Sequence, residues 1–131
     1  MMRYISPAMA IKFWDTWCEY GLGKKYKLPE SECVYHGDID GIPDPMDHPA
    51  YSIQELMLWI PKKIIDKEEK ELALTIEFGY DNNTIRAMYN HYCLSGMLLV
   101  SIGKELPDIL MDLILRGIRG GYKEFYDFQS N

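Results

Sequence analysis

The chain has 131 residues, 47% of them hydrophobic and 26% charged, which suffices for one buried core and argues against disorder except at the ends. A formal net charge of -6 with dispersed lysines disfavours nonspecific binding of nucleic acid, which requires a basic face. The three cysteines, Cys18, Cys33 and Cys93, are odd in number and far apart, so they form neither a CxxC pair nor a disulfide framework, and a reducing cytoplasm is the expected setting. No signal peptide is expected, and no apolar run approaches the roughly eighteen residues that a membrane span needs.

Ser6 followed by Pro7 is a helix-start signal, an oxygen acceptor for orphan amides and then a ring whose missing N–H costs nothing at the first helical position. The spacing of Ala10, Phe13, Trp14, Trp17 and Cys18 predicts a helix over residues 7 to 20 with that stripe in the core, and Gly21 supplies its stop. Residues 22 to 50 read as mostly irregular backbone with a short strand at 33 to 35, since glycine and proline crowd the stretch 37 to 49. Ser52 and Glu55 form a capping box and Tyr51 and Leu56 a hydrophobic staple. A helix therefore starts at Ser52, buries Ile53, Leu56, Met57 and Ile60, and ends or kinks at Pro61.

A charged linker of lysines and glutamates comes next. Leu72, Leu74, Ile76, Phe78 and Tyr80 then alternate with small or polar residues at the period of a half-buried strand. Turn residues at 81 to 83 and an extended pattern over 84 to 93 complete an antiparallel hairpin, and the apolar run 97 to 102 suggests a further strand. Pro107 and Asp108 open a last helix with a broad apolar face, closed by Gly120 and Gly121. These elements predict a single globular domain over residues 1 to 131 of α+β class, two layers in which an antiparallel sheet of two to four strands packs against about three helices.

The stretch "YHGDIDGIPDPMDH" over residues 35 to 48 holds four aspartates and two histidines. It is not an EF-hand, because counting from Asp38 places Ile42, Pro43 and Pro49 where an oxygen ligand, a glycine and a glutamate belong. His36, Asp38, Asp40 and His48 are acceptable ligand types for zinc or manganese, although aspartate beside glycine and proline is equally the chemistry of solvated turns, the favoured reading. His91 and Cys93 would share one face of a strand, but nothing identifiable orients that histidine, and the cysteine reads as a small buried hydrophobe. Gly103 and Lys104 lack the upstream glycine spacing and the serine or threonine of a phosphate loop.

Lys24-Lys25-Tyr26-Lys27 mixes charge with an aromatic, which is used on nucleic-acid surfaces and, more commonly, for solvation beside a helix end. The tail carries Tyr122, Phe125, Tyr126 and Phe128, four aromatics that either fold back on the core or meet a partner, and they are taken as the candidate interface.

The segments "HPAYSIQELMLWIPKKI" and "LPDILMDLILRGIRGGY" resemble small uncharacterised proteins of phages, prophages and gut bacterial mobile elements. The resemblance covers about residues 48 to 122 and rests on Pro49, Ala50, Tyr51, Ser52, Leu56, Trp59, Pro61, Gly121 and Tyr122. These are capping and packing positions, so it implies a shared fold more than shared chemistry. The functional expectation is a non-enzymatic accessory protein without a cofactor, acting through a protein partner or self-association. The alternative is a metal-binding module or metal-dependent enzyme built on the loop of residues 36 to 48.

Overall fold

The computed structural model describes residues 2–36, 47–79, 83–90 and 97–127. Helix α1 (Pro7–Glu19) begins as the sequence predicts, with the Ser6 hydroxyl accepting from the Met9 amide and proline in the first turn. It ends where Gly21 adopts φ 64°, and a 3₁₀ turn (Leu22–Lys24) then reverses the chain. Strands β1 (Val34–Tyr35) and β2 (His48–Pro49) form a small antiparallel pair. Helix α2 (Ile53–Trp59) carries the complete capping box. The Glu55 amide donates to the Ser52 hydroxyl at 3.1 Å, and the Ser52 amide donates to the Glu55 carboxylate at 2.8 Å. Both staple residues, Tyr51 and Leu56, are fully buried.

The main sheet is antiparallel in the order β3 (Lys63–Ile65), β4 (Glu71–Phe78), β5 (Ile85–Asn90), β6 (Met97–Gly103). β3 lies inside the segment expected to be a charged linker. Ile64, opposite Leu72, is buried while its neighbours Lys63 and Ile65 are exposed, and so brief an alternation among lysines carries little sequence signal. The turn after it is local side-chain chemistry, in which the Asp66 carboxylate accepts from the amides of Glu68 and Lys70 while Glu69 takes φ 62°.

Helix α3 (Leu106–Arg119) packs on β5 and β6 and in turn receives α1 and α2. It is buried on almost every side: Ile109, Leu110, Met111, Leu113, Ile114, Leu115 and Ile118 are at most 3% accessible. One apolar cluster runs from Ile5 to Phe125 and contains Phe13, Tyr51 and Trp59 in mutual edge-to-face contact, with centroids 5.2 to 5.7 Å apart. The chain is thus α+β, with an antiparallel sheet covered on one face by helices.

Three expected core positions differ, the first being Trp14, which is only half-buried and stands outside the apolar cluster. Cys18 is exposed, and Thr16 is buried in its place, donating from its hydroxyl to the Lys12 carbonyl and accepting from the Arg119 guanidinium. The apolar stripe of α1 is thereby rotated toward α3. Phe78 keeps the alternation of β4 but remains 64% exposed, because the strand's last residue extends beyond the buried rows of the sheet.

Candidate functional site

The histidines of the alternative metal-loop reading are separated by strand geometry. Tyr35 lies opposite His48, and on the next rung His36 Nδ1 is 3.0 Å from Asp47 Oδ1, both side chains well exposed. Successive residues of a strand face opposite sides, so His36 looks to solvent while His48, 2% accessible, turns inward with its ring edge-on to Trp14. The two rings do not converge. Asp38 and Asp40 lie outside the described residues, as do His91 and Cys93. Among the described residues no group of three metal-ligating side chains comes together.

The aromatic tail folds back. Gly121, at φ 81°, turns the chain into a 3₁₀ turn (Lys123–Phe125) that returns to the core. Phe125 was expected at an interface. Instead its ring is fully enclosed, edge-on to Tyr89 at 5.5 Å, and it occupies a socket that exists because residue 117 is glycine: a Cβ there would stand 2.2 Å from the ring. The Glu124 carboxylate accepts from the Ile65 amide at 2.7 Å and pins the turn to β3. Tyr122 and Tyr126 are half-buried, and loss of solvent around each phenol, ahead of nearby carboxylates, pushes its pKa upward. Phe128 lies outside the described residues.

A feature hidden in the sequence is a cleft of about 570 Å³ beside the second half of α1. Trp14 and Cys18, one helical turn apart, form a wall; the returning chain supplies Lys24, Tyr26, Lys27 and Leu28. Tyr26 is held by Tyr126, whose ring lies 5.0 Å away. The run Lys24-Lys25-Tyr26-Lys27 gave half the signal. The other half was the side-by-side placement of Trp14 and Cys18 at the flank of the buried stripe.

The two edges of the main sheet contrast. β3 has three residues and carries Lys63, ion-paired with Glu71 at 2.7 Å, which is how natural sheets blunt an edge. β6 has seven residues, MLLVSIG, with no charge and no proline. Its last residues, Ser101, Ile102 and Gly103, line a cleft of about 310 Å³ with Met9 and Asp108. On the sheet face turned away from the helices, Ile102 is 55% and Ile65 49% exposed, and the Arg86 guanidinium bonds the opposed Glu77 carboxylate at 2.6 and 3.1 Å.

Among the described residues, fold and sites define a small α+β protein with an uncharged sheet edge and an aromatic cleft beside α1. Comparison with protein-family models, curated proteins and solved structures finds no match to this chain. Among the described residues no helix is long and apolar enough to cross a membrane.

Proposed function

We propose that this chain is a non-enzymatic accessory protein that acts by self-association, in the phage and mobile-element setting that its sequence resembles, with β6 pairing antiparallel to β6 of a second copy. The observation that carries this reading is the contrast between the two edges. A long, uncharged, apolar edge strand presents a row of backbone donors and acceptors that another strand satisfies, whereas the short lysine-bearing β3 resists pairing. A twofold axis through such a pair makes one continuous sheet and joins the exposed Ile102 side chains into the apolar surface of the dimer.

The test is sedimentation equilibrium of the full chain over a wide concentration range, beside Ile102→Lys and Tyr126→Ser. A dimer that Ile102→Lys dissociates and Tyr126→Ser leaves intact is the expected result. A wild-type monomer throughout sinks the reading. A dimer lost only in Tyr126→Ser moves the interface to the tail.

A further inference from the structure

The cleft beside α1 lies apart from the β6 edge and has a chemistry of its own. Its walls are apolar and aromatic, Trp14 and Cys18 on the helix and Tyr26 and Leu28 opposite, and the formal charges in its lining are those of Lys24 and Lys27. Among the described residues no aspartate or glutamate lines it, a local reversal of sign in a chain of net charge -6. Among the described residues neither lysine is engaged in an ion pair. Both side chains are exposed, so their ammonium groups stand at the rim while the rings form the interior. A volume of about 570 Å³ falls within the range of about 300–1,000 Å³ typical of small-molecule sites.

We infer that this cleft binds a small planar anion, with its ring system between Trp14 and Tyr26 and its acidic group held by Lys24 and Lys27. Flat rings suit the walls because offset or edge-on aromatic contact adds to simple burial, and the two ammonium groups fix which end of the ligand faces outward. Tyr126 packs edge-on against Tyr26, with ring centroids 5.0 Å apart. An extended nucleic-acid strand fits less well, since the lysines converge on one cleft instead of tracking a backbone.

The probe is anilinonaphthalene sulfonate, a planar aromatic anion, titrated into the full-length protein while tryptophan emission is followed. Its uncharged relative phenylnaphthylamine and a single-stranded oligonucleotide serve as comparators. Two variants at exposed positions accompany the wild type, Lys24→Gln with Lys27→Gln, and Cys18→Trp, which fills the cleft, each checked by thermal melting. Saturable one-to-one quenching is expected, weakened about fivefold to tenfold in the double lysine variant and lost in Cys18→Trp. The uncharged relative should bind less tightly and ignore the lysines. Quenching that is not saturable, that survives in Cys18→Trp, that disregards the lysines, or that the oligonucleotide outcompetes overturns the assignment.

Discussion

The indole N–H of Trp59 donates a buried 2.8 Å hydrogen bond to the carbonyl oxygen of Phe125, joining the end of α2 to the turn after α3. The carbonyl belongs to the residue whose ring fills the socket at Gly117, so one short turn is fixed by a polar and an apolar anchor together. Phe125→Ala should cost about 3–5 kcal/mol, and Trp59→Phe about 1 kcal/mol or somewhat more through the unpaired carbonyl. Urea unfolding measures both. A near-neutral Phe125→Ala would detach the tail from the core.

Gly117→Ala tests the socket from its other wall. The added methyl meets the Phe125 ring far inside contact distance and must expel it or bend the helix, although alanine is the better helix former in isolation. Stability should fall by at least about 2 kcal/mol. A gain would mean that the ring does not sit there.

Ser52→Ala should lower stability by about 1 kcal/mol. Glu55→Ala should cost more, because its carboxylate accepts from the Ser52 amide, the Glu32 amide at 2.9 Å and the Ser31 hydroxyl, so that it ties the loop before β1 to the start of α2. Equal losses in paired urea melts would show that the loop attachment contributes nothing.

Burial, assisted by Glu55 for one and Glu124 for the other, pushes the phenols of Tyr51 and Tyr89 well above their ordinary value of 10.0. In the fold each hydroxyl donates to a proline carbonyl, Pro29 and Pro61 respectively, so the neutral form is favoured. The folded state then holds more protons than the unfolded chain above about pH 10. Stability contributed by these groups is complete below that pH and declines as pH rises. Urea melts from neutral to strongly alkaline pH should show the decline in the wild type and a shallower one in Tyr51→Phe with Tyr89→Phe. An unchanged slope would place the alkaline transition elsewhere.

What was legible in the chain was what neighbours in sequence decide. Ser6 with Pro7, Ser52 with Glu55, and the alternation from Leu72 to Ile76 each encode their element within a few residues, and all three elements form where they were expected. The misplacements concern partners that sequence does not put side by side. Phe125 and an exposed aromatic look alike until Gly117 opens a space for one of them. β3 depends on Ile64 finding Leu72 across a turn, and the cleft requires Gly21 to fold Tyr26 back beside Trp14. His36 and His48 are near in sequence, yet the ladder that joins their strands sets them on opposite sides.

The attachments of α1 also constrain how the protein is made. The Ser6 amide donates to the Asp108 carboxylate at 2.7 Å and Thr16 meets Arg119, each across more than a hundred residues of chain. During synthesis at about 5–20 residues per second, α1 therefore emerges roughly 5–20 s before the helix that receives it. Through that interval Phe13 and Trp17 lack part of the core that encloses them in the finished fold, and the nascent chain offers a ribosome-bound chaperone an aromatic stretch that the finished protein conceals.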